Sequence, residues 1–416
     1  MRGARQVGKT WLVENFGAKE FIDFVKIDFE LRSDLHNIFE GDLNPEKLLS
    51  LLEISLNRSI RPGETLLFFD EIQVCPRALM SLRYFFEKLP ELHIIAAGSL
   101  LEFALGEISF PVGRVQFLNL NPMNFYEYLK SQGKDQLAEK LKETPCGLPK
   151  IVHEQLLLEL KNYFIVGGMP ESVKCYAETQ SMMEVFNVKT SLLESFKQDF
   201  SKYAPRADKI CLNTILESVS QQVGEQTKYS KLVSGFSNPT IRNNYELLCL
   251  ARVLKKVTKT DPSGLPLGAG INAKKFKTLL VDIGLLQTLS AYNLQKEILG
   301  SDVLSIYKGK LAEQFVGQEL ISGNNESVYY WAREARSSNS EVDYLVQVGN
   351  KIVPVEVKSG KGGSLRSMHL FLEKYPNCKQ GLVLYSGDYK QLPEQNLIFV
   401  PVYYAAYLNN LILDLD

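Results

Sequence analysis

Apolar and polar positions change rhythm twice along the chain. Over the first 130 residues, short apolar runs alternate with stretches of helical spacing. Strands are predicted at 21–29, 65–69, 93–97 and 115–120, with helices between them, as at 48–56 and 78–88. Leu66-Leu67-Phe68-Phe69 and Ile94-Ile95-Ala96-Ala97 are apolar at consecutive positions, as strands covered on both faces are. Such alternation predicts α/β layers on a parallel sheet. From about 150 to 250 the period becomes helical, for example at 153–163 and 182–203. The Pro/Gly-rich stretch 261–270 then predicts a loop or turn. Beyond about 305, a helix at 308–320 and strands at 328–332, 342–348, 352–357 and 380–384 predict a further small α/β domain. No repeat of solenoid period and no low-complexity tract interrupts the layout.

Length and composition narrow this picture. The chain has 416 residues, and at about 100–200 residues per domain it holds two to four. With 45% hydrophobic and 23% charged residues, wholesale disorder is excluded. A net charge of −1 excludes a generic polyanion binder but leaves room for local basic patches. No apolar run approaches the roughly 18–20 residues that span a bilayer, so no membrane partner is expected. The amino end is polar and lacks a signal-peptide core. Six scattered cysteines without a CxxC pair, and four histidines without ligand spacing, argue against a disulfide scaffold and a zinc site. A reducing cytoplasm is the expected location.

The chemistry begins at the amino end. Gly3-Ala4-Arg5-Gln6-Val7-Gly8-Lys9-Thr10 fits the phosphate loop G-x-x-x-x-G-K-[ST]. Its glycines let backbone N–H groups close on phosphate oxygens. Lys9 is expected to meet the β- and γ-phosphates of ATP, and the Thr10 hydroxyl to ligate Mg²⁺. Trp11 opens the helix whose N-terminus adds positive potential. The apolar strand Leu66–Phe69 ends in Asp70-Glu71. An Asp there can complete the Mg²⁺ shell, and a neighbouring Glu can activate water. Arg114 is a candidate arginine finger across a subunit boundary, although a solvated arginine is the plainer reading.

These features resemble the AAA+ ATPases, and more closely a bacterial and archaeal group of unassigned role. The stretches that carry the resemblance are the opening RGARQVGKTWL, then FFDEIQ, GSLL, FLNLNPMNFYEYL and YFIVGGMPESV. The resemblance implies a nucleotide-binding ATPase that can form homo-oligomers or engage a partner protein. It also implies that the strand ending at Gly98-Ser99 lies between the loop strand and the Asp70 strand, with Ser99 near the γ-phosphate. One departure stands out: only Met1 and Arg2 precede Gly3, where a buried strand is expected. Its absence predicts a gap with unpaired backbone groups, and weaker Mg-ATP binding than in a chain extended by one strand.

In the middle, 229–248 reads as helix, turn, helix, with Asn238 as cap and Pro239 in the first turn. Ile241, Tyr245 and Leu248 form the buried face, leaving Thr240, Arg242, Asn243 and Asn244 for DNA bases or phosphates. Residues 251–278 carry seven basic side chains, Lys255 and Lys256 among them, against one acid. This resembles a winged helix with a basic wing. At the carboxy end, alternation puts Glu356 and Lys358 on one strand face, with Asp343 on the preceding strand across the Gly349-Asn350 turn. That set resembles the PD-(D/E)xK nucleases, which implies Mg²⁺ held by Asp343 and Glu356, water positioned by Lys358, and Glu313 as an added acid. A surface ion pair is the plain alternative.

The expected layout is an ATPase core at 1–150, a helical lid at 151–205, a winged helix at 206–295 and a restriction-endonuclease-like domain at 300–416. The expected function is Mg-dependent ATP hydrolysis acting on or with nucleic acid, with a nuclease-like end. The alternative is a nucleotide-gated DNA- or protein-binding switch without turnover.

Overall fold

A computed structural model describes residues 1–99, 101, 113–203, 207–290, 307–323, 327–333, 340–358 and 365–413. Leu100 of the GSLL turn and the 291–306 link lie outside these residues. The chain divides into two compact units: Met1–Asn121 with two short later segments, and the remainder.

In the first unit, α1 (Lys9–Glu20), α2 (Pro45–Leu56) and α3 (Pro76–Lys88) accompany the parallel strands β1 (Asp23–Asp28), β2 (Thr65–Asp70) and β3 (His93–Ala96). All six residues of β2 are buried, as its unbroken apolar run predicts for a central strand. β1 pairs with it from Asp23↔Thr65 to Asp28↔Asp70. β3 pairs on its other side. The start of α2 is set by Asn44, whose side chain accepts the N–H groups of Glu46 and Lys47 while Pro45 takes the first helical position.

The predicted gap beyond β3 is only partly a gap. Arg2 bridges Gly98 on one side and Asn119 on the other, both in parallel sense. Its N–H donates to Leu118 O at 2.9 Å, and Leu120 N–H donates back to Arg2 O at 2.8 Å. On the β3 side, Gly98 N–H donates to Met1 O at 3.4 Å and the Met1 ammonium bonds Ala96 O. Two residues thus hold the place of a strand, and the phosphate loop springs from them. Next to Met1, an apolar cleft of about 290 Å³ runs between Ile94-Ile95 and Val115-Leu118.

The second unit begins earlier than the predicted boundary at 150. The helix Phe125–Ser131 belongs to it because Phe125 packs edge-on against Tyr163 and Phe315. The stretches NPMNF and VGGMP meet there. Met123 N–H donates to Gly168 O at 2.7 Å, and a Cβ on Gly168 would strike the Met123 carbonyl. Buried Asp282 then accepts Gly168 N–H at 2.6 Å and Leu285 N–H at 2.9 Å. The glycine pair is therefore a packing requirement.

One eight-stranded mixed sheet organises this unit. In chain order its strands are β4 (Leu254–Thr260), β5 (Ile271–Leu280), β6 (Tyr329–Ala332), β7 (Glu341–Val348), β8 (Lys351–Val357), β9 (Gly381–Tyr385), β10 (Lys390–Leu392) and β11 (Leu397–Pro401). Their spatial order is β10-β11-β9-β8-β7-β6-β4-β5. The β7–β8 hairpin turns at Gly349 and Asn350, as expected, with Gly349 at φ 58°. The β4–β5 hairpin, expected as a free wing, is instead joined to the carboxy-terminal strands through β4–β6 pairing. The helix Tyr307–Ser322 fastens to β5: its Gln314 side chain accepts Leu280 N–H and donates to Leu280 O.

Candidate functional site

Gln6 at φ 61° and Gly8 at φ 90° bend the backbone left-handed. Glycine takes that region freely, whereas Gln6 is held there at some strain. The two bends curl Gly3–Gly8 and aim α1, which starts at Lys9. Ala4 and Val7 are buried beneath the loop. Gly3 has no room for a side chain, because a Cβ would run into the Leu120 carbonyl. Lys9 is buried too, and its ammonium donates to Gly3 O at 3.1 Å and Ala4 O at 2.8 Å. It arches over the loop, where phosphate would lie.

The next residue meets the Asp strand. Thr10 Oγ1 donates to Asp70 Oδ2 at 2.9 Å, across 60 residues of sequence. Glu71 follows at φ 48°, so the chain breaks away from the line of β2. Its N–H donates to Asp70 Oδ1 at 3.1 Å, and its carboxylate accepts Gln73 Nε2 at 2.6 Å. Sequence reasoning missed a fourth group, Lys26 of β1. Its Nζ lies 3.2 Å from Asp70 Oδ2 and 2.9 Å from Glu14 Oε1. Burial alone would lower the Lys26 pKa, but the bonds to Glu14 and Asp70 outweigh it and raise it. The signal was the alternation in Asp-Phe-Val-Lys-Ile-Asp on the strand beside β2.

Thr10 and Asp70 offer hard oxygen donors at a point where Lys26 already supplies positive charge. The Lys26 side chain is 29% exposed, so it can swing aside. These residues fit Mg²⁺ and would hold it. Ser99 is buried next to Gly98, which bonds Met1. Trp11 is 65% exposed. Arg114 pairs with Glu87 of its own chain at 3.1 Å on the surface.

The carboxy-terminal candidates converge around a lysine the sequence reading had assigned to the basic wing. Lys277 of β5 is 1% exposed. Its Nζ lies 2.7 Å from Glu313 Oε1, 3.8 Å from Asp343 Oδ1, and bonds Glu341 Oε1. Asp343 Oδ2 accepts Val357 N–H at 2.8 Å. Lys358 Nζ donates to Glu356 Oε1 at 2.6 Å, while Glu356 Oε2 is buried without a partner. Burial drives the Glu313, Glu341 and Glu356 carboxyls upward in pKa, and the lysine charges only partly offset it. Glu341 sits two residues before Asp343, on the same strand face, and period-2 alternation could have flagged it. Among the described residues, no group of three or more His, Cys, Asp or Glu side chains is arranged to hold a metal ion. The Mg²⁺ expected on Asp343 and Glu356 would have those two carboxylates alone, because the Lys277 ammonium takes up Glu313 and Glu341.

The helix pair also differs in detail. The helix Asn238–Leu250 is capped by Ser237, whose Oγ accepts Thr240 N–H, rather than by Asn238. Arg242 and Asn243 are exposed, with Thr240 beside them. Asn244 is buried, donating to Thr240 O at 2.9 Å and accepting Asp208 N–H at 3.1 Å, which removes it from any DNA face. Lys256 is committed to Glu246 and stacks over the Tyr245 and Phe276 rings. Lys259 and Lys277 are buried, so the wing's outward charge is well below what the sequence suggests. Lys255 is half-buried.

No helix among the described residues is long and apolar enough to cross a membrane. Comparison with curated proteins gives no match. Among solved structures, a Walker-type ATPase of Pyrococcus abyssi is 15% identical with a TM-score of 0.44, over 69% of this chain and 89% of its own. The ORC2 protein of Aeropyrum pernix, solved with ADPNP and ADP, is 12% identical with a TM-score of 0.35, over 72% and 88%. Both scores are too low for either protein to lend this chain a function. Residues 157–296 and 308–405 match two family models described only as domains of unknown function. Residues 1–129 match a family model described as an AAA domain. The glycine loop, Lys9, Thr10 and Asp70 all lie within the part of the chain that is similar to an AAA domain.

Proposed function

We propose that this protein hydrolyses Mg-ATP at the loop Gly3–Thr10 and couples turnover to nucleic acid. The observation that carries the reading is the Thr10–Asp70 hydrogen bond of 2.9 Å beside a Lys9 that spans the loop. Phosphate binding by Lys9 would exchange its two carbonyl acceptors for charged oxygens, a stronger hydrogen bond. Mg²⁺, when bound, would neutralise charge developing on the phosphates. Glu71 would leave Gln73, orient a water at the γ-phosphorus and take its proton as the bond to ADP breaks. Supporting the nucleic-acid part are exposed Arg242 and Asn243 at the start of the helix Asn238–Leu250. The first compact unit is the proposed nucleotide engine.

Steady-state hydrolysis tests the engine. Glu71→Gln is expected to abolish turnover while keeping ATP binding. Loss of binding together with turnover would count against the assigned role. For the nucleic-acid part, Arg242→Ala with Asn243→Ala is expected to weaken duplex DNA binding in fluorescence anisotropy and to flatten its salt dependence. An unchanged isotherm would remove this face. A second reading, the switch without turnover, is favoured by the Gln73–Glu71 bond of 2.6 Å, which ties up the carboxylate of the candidate base. Gln73→Ala separates the two: the enzyme reading expects faster basal hydrolysis, the switch reading expects none.

A further inference from the structure

We infer that Lys277 is the permanent cation of the carboxy-terminal carboxylate cluster, taking the place of a divalent metal among Glu313, Glu341 and Asp343. Three carboxylates face its ammonium: Glu313, Glu341 and Asp343. They come from a helix and from β7, while the lysine comes from β5, so folding assembles the set. A metal on Glu313 and Asp343 would need their oxygens at about 2.0–2.6 Å. The ammonium sits 2.7 Å from Glu313 Oε1 and claims the same lone pairs. Two cations cannot share that point in a buried, low-dielectric site.

The contrast with Lys26 decides whether the lysine can yield. At Asp70 the Lys26 side chain is 29% exposed and has water to swing into. The Lys277 side chain is 2% exposed and lies over the Tyr330 ring at 5.3 Å. Lys277 also occupies a ladder position opposite Val257 on β4, which pins its backbone. One cluster can therefore admit a metal and the other cannot. Asp343 and Glu356 remain, with Asp343 bonded to Val357 N–H and Glu356 to Lys358. Two carboxylates are a poor substitute for the full set. The cluster holds the helix Tyr307–Ser322 to β5 and β7, and it does not cut nucleic acid. This inference is independent of the phosphate loop, and its test omits nucleotide.

The test is Mn²⁺ binding followed by electron paramagnetic resonance on the full chain, with nicking of branched DNA in Mg²⁺ or Mn²⁺ as the second readout. The wild type is expected to show no Mn²⁺ site that depends on Asp343 and no nicking that depends on Lys358. Lys277→Ala is expected to gain one Mn²⁺ site per chain, at least tenfold tighter than any in the wild type and lost again in Lys277→Ala with Asp343→Asn. A wild-type site that disappears in Asp343→Asn, or nicking that disappears in Lys358→Ala, would overturn the inference. So would a folded Lys277→Ala protein that gains no site. Should Lys277→Ala fail to fold, comparing the wild type with Asp343→Asn still decides it.

Discussion

Gly3 shows how much of the nucleotide loop depends on single residues. The methyl of an alanine there would meet the Leu120 carbonyl, and backbone cannot step aside cheaply. Gly3→Ala is expected to cost about 1–3 kcal/mol in urea unfolding and to reduce ATP affinity with it. A neutral substitution would mean the loop does not pack as described. Residues of this kind were legible, because a motif fixes their spacing: Gly3, Gly8, Lys9, Thr10 and Asp70 come together as the pattern requires. Lys26 and Lys277 were not. Alternation puts each on a strand face, but the pairing that brings it to its carboxylates is long-range, and in sequence each looks like an ordinary charged strand residue. Asn244 failed for the opposite reason. Helical spacing put it at the edge of the apolar face, and its amide found two internal partners that spacing does not reveal.

Among the elements, β1, β2 and β3 form close to the ranges predicted for them, whereas 115–120, expected as a strand, makes only the isolated bridge of Asn119 to Arg2. The strand before the loop is the instructive case. Its two residues make sheet-like bonds on both sides, so the loop has a formed base where an open gap was expected. The β4–β5 hairpin was found but misplaced in role, because pairing with β6 is a long-range event across about 70 residues. The turn that carries Gly167 and Gly168 is similarly held from afar. Asp282→Ala would leave the N–H groups of Gly168 and Leu285 buried without an acceptor. At about 1–3 kcal/mol for each, the loss in urea unfolding is expected to be about 2–5 kcal/mol. A loss below about 1 kcal/mol would show that water reaches this turn.

At the level of the whole molecule, buried acids shape the response to pH. Glu319 is fully buried in the second unit and accepts Phe125 N–H at 3.1 Å. Burial pushes its carboxyl from 4.5 up to about 8, with the Phe125 bond pulling the other way and nearby Glu127 adding to the rise. The folded chain therefore keeps a proton that the unfolded chain releases, and this group's contribution to stability falls as pH climbs from about 4.5 to about 8. Glu319→Gln keeps an acceptor for Phe125 and removes the titration. It is expected to melt higher than the wild type at pH 8 and to lose that advantage by pH 5. An equal difference at both values would assign the effect to packing.

The claim on which the account turns is that the loop at the very start of the chain binds nucleotide. Calorimetric titration of the full chain with Mg-ATP tests it most directly. The bonded Met1–Arg2 base and the Thr10–Asp70 bond predict one site in about the micromolar range, lost in Lys9→Ala. No heat of binding, or the same heat from Lys9→Ala, would contradict it.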